Sequence, residues 1–118
     1  MKFTFELTKA HSYKHECVVE DHDTWNADYL LVCILVPLLK RFRKDADGGP
    51  VIDLMDIPEK FHGYCGEFGH NPRGWDWIVG EMIHGFKHAL DDRPSDKTIA
   101  RADNGRRLFA KYFTGLWT

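Results

Sequence analysis

Two groups of side chains in this chain have types and spacings suited to chemistry. The first is His62-x-x-Cys65, followed by His70, in a glycine-rich stretch. The second is Glu81-x-x-His84 followed by His88, so the two histidines stand four residues apart with Glu81 one turn earlier. On a helix, residues three and four apart share a face, and these three side chains can approach one point. Zinc takes three or four N, S or O ligands in a tetrahedron. His62, Cys65, His70, Glu81, His84 and His88 are therefore the metal candidates, with zinc the ion they would suit. The stronger signatures are missing, for there is no paired Cys-x-x-Cys and no His-Glu-x-x-His. The plainer reading is a solvated polar helix face preceded by an ordinary loop.

Cys65 is also the one thiol placed to be considered as a nucleophile. That role needs a histidine in contact and a lowered thiol pKa, and nothing in the sequence supplies either. No catalytic residue is assigned. Arg101, Arg106, Arg107 and Lys111 are the nucleic-acid candidates, since on one helix they could form a basic stripe with aromatic residues nearby to stack on bases. A solvated helix face explains them as simply. The aromatic residues point elsewhere. Four Trp, eight Phe and four Tyr are many for one small core, and exposed Trp and Tyr are favoured interface anchors. Trp75 and Trp77 lie about 200° apart on a helix, so they cannot share a face. Trp25, Trp77, Tyr112 and Trp117 are the interface candidates.

The elements that position these residues follow from hydrophobic period. Phe3, Phe5 and Leu7 alternate with polar residues, as do Tyr13, His15, Cys17 and Val19, which predicts an N-terminal β-hairpin over 1–20. Asp23 or Thr24 can cap a helix over 23–44, apolar nearly all round from Tyr29 to Leu39 and so expected to be central and covered, with Cys33 in the core. Pro37 should kink that helix or end it near Val36. Residues 45–74 carry six glycines and three prolines and read as an irregular loop. Within it, Val51–Ile57 could add a third strand and 58–61 a helical turn. Trp75, Ile78, Val79, Met82, Ile83, Phe86 and Leu90 form one stripe of a helix over 75–90, and Ala102, Leu108, Phe109, Tyr112, Phe113 and Leu116 form that of a last helix over 98–117.

These elements make one α+β domain over residues 1–118, mainly helical, with a three-helix core and the hairpin packed on it. The net charge is −2, split into −4 over residues 1–59 and +2 over 60–118, which by itself predicts neither nucleic-acid nor membrane binding. Three cysteines without regular spacing argue for free thiols in the cytoplasm rather than a disulfide framework. There is no apolar signal-peptide core at the N-terminus. The longest uncharged apolar run, Tyr29–Leu39, has 11 residues where a membrane span needs about 20.

Several segments also resemble, as a set, a family of small uncharacterised bacteriophage proteins. They are Asp23-Thr24-Trp25-Asn26-Ala27-Asp28 leading to Leu38-Leu39, then Gly49-Pro50, then Trp75 to Glu81-Met82-Ile83-His84-Gly85-Phe86, and last Gly105 to Leu108-Phe109-Ala110-Lys111-Tyr112-Phe113-Thr114-Gly115-Leu116-Trp117. The likeness covers about two-thirds of the chain. It implies phage origin and a role in the host cytoplasm, but no activity and no functional residues. The resulting expectation is a phage-type accessory protein that binds a host or phage macromolecule without catalysis, with a protein partner or a homo-oligomer. Nucleic acid is the second partner considered. The competing class is a metal-binding protein or metal-dependent enzyme built on His62, Cys65, His70 and the Glu81-His84-His88 face.

Overall fold

The computed structural model describes residues 2–7, 13–63, 66 and 69–117. The chain divides into two compact units, Met1–Leu31 and Val32–Thr118. In the first, β1 (Lys2–Leu7) pairs antiparallel with β2 (Tyr13–Val18), with Lys2 opposite Val18 and Leu7 opposite Tyr13. The turn expected between them lies outside the described residues. A 3-10 turn follows at Asp21–Thr24, opened by a reciprocal cap in which the Glu20 amide donates to the Asp23 carboxylate at 2.8 Å. The cap is therefore Glu20, with Asp23 as its partner inside the turn rather than the cap of α1, and helix α1 begins only at Ala27 and runs to Asp45.

The second unit is mainly helical. Helix α2 (Pro72–Lys87) and helix α3 (Asp96–Lys111) are its principal pair, followed by a 3-10 turn at Phe113–Gly115. Asn71 caps α2 by accepting the Gly74 amide at 2.9 Å, with Pro72 in the first turn, where its missing N–H costs nothing. Ser95 caps α3 through the Thr98 amide. Both helices start two or three residues earlier than the apolar stripes alone predict.

The core centres on α2. Trp75, Ile78, Val79, Met82 and Ile83 are buried there, joined by Ala102, Leu108 and Tyr112 and by Leu39 of α1. The expectation of a covered α1 is corrected, since Leu39 is its one buried residue and Cys33 is exposed. Nor does α1 end at Pro37. Cys33 and Pro37 are both exposed, so water can satisfy the Cys33 carbonyl that the proline leaves without a donor.

Helices α2 and α3 cross at glycine. A methyl group at Gly105 would collide with the Glu81 carbonyl and stand 3.0 Å from the Gly85 amide nitrogen. One at Gly85 would meet the Arg106 amide at 2.8 Å. The backbones touch directly, which only residues without a Cβ allow.

The described part of residues 45–74 is packed through Ile52 and Ile57 rather than left as a free loop. Ile52 and Ile57 are buried against the start of α2, close enough that a methyl group on Gly74 would lie 2.7 Å from the Ile52 Cδ1. The segment contains 3-10 turns at Leu54–Asp56 and Glu59–Phe61, the second matching the helical turn expected there. No strand forms over 51–57. Ile52 and Ile57 are both drawn inward, while Val51 and Met55 remain exposed, a pattern an extended strand cannot give.

Candidate functional site

The polar face of α2 is assembled, but as a structural network. Glu81 is buried and takes a bidentate pair from Arg101 of α3, with Nη2 to Oε2 at 2.7 Å and Nε to Oε1 at 3.1 Å. Charge-assisted forks of this kind are the stronger class of hydrogen bond. The His84 and His88 rings lie 4.4 Å apart and tilted by 42°, and the His88 Nδ1 sits 2.6 Å from the Asp91 carboxylate. The His84 Nε2 is buried and unpartnered. Burial first, then the charges of Arg101 and His88, lowers the His84 pKa against the opposing pull of Glu81 and Asp91.

A consequence follows for acid stability. As pH falls through the unfolded histidine range near 6.5, the unfolded chain takes up a proton that folded His84 resists, so stability is lost. The melting temperature is expected to drop more between pH 7.5 and 5.5 in the wild type than in His84→Gln. Equal drops would show that His84 is not the titrating group.

Of the other metal candidates, His62 has a side-chain contact and His70 a backbone one. The His62 Nε2 lies 3.2 Å from the Ile57 carbonyl oxygen, and the His70 carbonyl accepts the Gly66 amide at 2.6 Å. Cys65 lies outside the described residues. No group of three or more His, Cys, Asp or Glu side chains able to hold a metal occurs among the described residues.

The four basic residues are brought onto one helix, and each meets a carboxylate. Arg101 holds Glu81, Arg106 holds Asp103 and the Gly85 carbonyl, Arg107 holds Asp56 and Asn104, and Lys111 holds Asp56 and Asp53. Each positive charge is paired with a carboxylate of the same molecule, which weakens the field a phosphate backbone would feel.

Asp56 is the centre of this arrangement, and the sequence reading missed it. Its side chain is 6% exposed and accepts Lys111 at 2.6 Å, the Tyr112 hydroxyl at 2.7 Å and Arg107 at 2.9 Å. The Tyr112 oxygen in turn accepts the Asp53 amide at 2.9 Å. Burial alone would raise the Asp56 pKa, but donation by Lys111, Tyr112 and Arg107 outweighs it and holds the pKa near 2.

Of the aromatic candidates, Tyr112 is corrected to a core residue. It is 7% exposed, its ring packs edge-on to Trp75 at 6.0 Å, and its hydroxyl is fully committed. Trp77 is half-buried against the core, in a cleft with Phe61, Pro72, Arg73 and the Arg43–Asp76 ion pair. Trp25, in the N-terminal unit, stacks on His22 at 4.6 Å and is exposed, as is Trp117.

A second site went unseen in sequence. Leu35, Leu38, Leu39 and Phe42 of α1 face Phe109 of α3 and Phe113 and Leu116 beyond it across a cleft of about 400 Å³. Among the described residues, no charged or polar side chain lines it. Phe109 forms edge-on contacts with Phe86 at 4.9 Å and Phe113 at 5.7 Å, which fix one wall. The spacing of Leu35, Leu38 and Phe42, three then four, was the available signal. It was hidden because apolar residues surround α1 on every side.

No protein-family model, curated protein or solved structure matches the chain. No helix among the described residues is long and apolar enough to cross a membrane.

Proposed function

We propose that this chain is a small phage-type accessory protein of the host cytoplasm, an α+β domain that acts by binding a macromolecule and performs no catalysis. The binding surface in this reading is the apolar cleft between α1 and the C-terminal segment. One observation carries it. Leu38 and Phe113, two of the side chains that line the cleft, remain 58% and 60% exposed, although a folding chain has every reason to bury them. Several of the polar groups that could have argued for chemistry, Glu81, His88, Arg101, Arg107 and Lys111, are instead engaged in ion pairs or hydrogen bonds.

Clefts of this kind take up apolar side chains of a partner, usually presented by a helix. The test is capture from bacterial lysate with tagged protein, with and without nuclease, using wild type and Leu38→Asp. A specific protein retained after nuclease by the wild type alone is the expected result. Identical capture by both would remove the cleft from the binding surface. Recovery that vanishes with nuclease would return Arg101, Arg106, Arg107 and Lys111 to consideration.

A further inference from the structure

We infer that His84 and His88 form a two-histidine chelate at the C-terminal end of α2 for a late first-row divalent cation, the class of nickel, copper and zinc. This site is independent of the apolar cleft. It narrows the metal set expected from spacing, because Glu81 is withdrawn from it. Both Glu81 oxygens accept from Arg101. Three observations carry the pair that remains.

The first is register. Side chains four apart on a helix are neighbours on one face. The His88 amide donates to the His84 carbonyl at 3.1 Å, so helical register persists to His88 although α2 itself stops at Lys87. The two rings lie 4.4 Å apart, centre to centre. Metal–nitrogen bonds of about 2 Å require the two donor nitrogens to stand within roughly 4 Å of each other. Rings this close reach that span by side-chain rotation, with no movement of the backbone.

The second is the state of the donor atoms. The His88 Nδ1 sits 2.6 Å from the Asp91 carboxylate, so that nitrogen carries a proton and Nε2 keeps its lone pair. A carboxylate behind a histidine is the common support of a metal ligand, since it fixes both tautomer and ring orientation. The His84 Nε2 is buried and has no hydrogen-bond partner. A buried polar atom left in that condition costs free energy that a ligand recovers. With its proton on Nδ1, His84 offers that nitrogen to an ion.

The third is charge. The charged groups around the pair are Glu81, Asp91 and Arg101, two carboxylates against one guanidinium. The pair also stands at the negative end of the α2 dipole. Both favour a cation. Imidazole donors select late first-row ions over magnesium and calcium, which take oxygen ligands. Two protein ligands leave the remaining positions to water or to a donor from a second molecule, as in open rather than structural metal sites.

The experiment is calorimetric titration of tag-free protein with nickel chloride at pH 7.5, using the wild type, His84→Asn, His88→Asn and Asp91→Asn, with far-ultraviolet circular dichroism on each. The expected result is one ion per wild-type chain. Affinity should fall at least tenfold on loss of either histidine, and about tenfold in Asp91→Asn, which removes no ligand and acts only through the His88 ring. Magnesium chloride should not compete. His88 lies at the exposed end of the helix, so His88→Asn decides the matter if His84→Asn loses its fold. A wild type that takes up no nickel to about 1 mM overturns the proposal. So does binding that survives both histidine substitutions, since the ion would then sit elsewhere. An Asp91→Asn protein that binds like the wild type refutes the tautomer on which the His88 donor rests.

Discussion

Gly105→Ala is expected to lower the melting temperature by about 10 °C or more, the methyl group there having the closest contact of any at the described glycines. The added carbon would enter the space of the Glu81 carbonyl and press on the Gly85 amide. Neither is the far end of a flexible side chain, so α2 and α3 must separate. Separation disturbs Ile78, Met82 and Leu108, all completely buried, and stretches the Glu81–Arg101 fork. Overpacking of this kind costs about 3 kcal/mol, which converts to that temperature shift for a domain of this size. Gly48→Ala is the control. A methyl group there meets nothing within 4 Å, and its effect should stay within about 0.5 kcal/mol. A Gly105→Ala protein that melts with the wild type would mean that the helices do not cross at this residue.

Asp56→Asn is expected to cost about 2 kcal/mol at pH 7, and to flatten the acid end of the stability curve. The folded pKa near 2 lies below the ordinary 3.8, so Asp56 contributes stability that is complete above about pH 4 and is lost as pH falls towards 2. The figure is kept modest because Arg107 and Lys111 remain about half exposed and water screens them. Asparagine can still accept the Tyr112 hydroxyl but leaves Arg107 without a carboxylate and Lys111 with only Asp53 at 3.4 Å. Chemical unfolding of both proteins at pH 7, 4 and 2.5 separates the effects. The gap between wild type and variant should shrink from pH 4 to 2.5, and a constant gap would sink the assignment.

The sequence revealed elements better than their depth. The α2 stripe was legible because Trp75, Ile78, Val79, Met82 and Ile83 repeat at helical period, and all are buried. The early starts of α2 and α3 were written in Asn71-Pro72 and Ser95, but loop-forming neighbours masked those caps. Hydrophobicity overstated α1, because period shows which residues share a face and not which face finds a cover. The site was less legible. The His84 and His88 rings did come together, yet Glu81 is held by Arg101 on another helix, and no spacing within one helix foretells that. Asp56 is separated by 51 to 56 residues from the three side chains it joins, so only the folded backbone makes it a centre. Gly85 and Gly105 look like ordinary flexible positions until the two helices are placed face to face.

Trp75 has a consequence for how this protein can be watched. Its indole is 3% exposed, its Nε1 has no hydrogen-bond partner, and Gly49 lies flat against the ring. Emission from such an indole is shifted to the blue, because no water or polar donor relaxes around its excited state. Trp25 and Trp117 face solvent and emit further to the red. The native spectrum therefore spans a blue component from Trp75, which reports the seating of the Gly49 segment on α2, a red one from the surface, and the half-buried Trp77 between them. A loosening of that cover alone would redden the first while the helices stayed intact, giving an optical signal for partial opening that circular dichroism does not see.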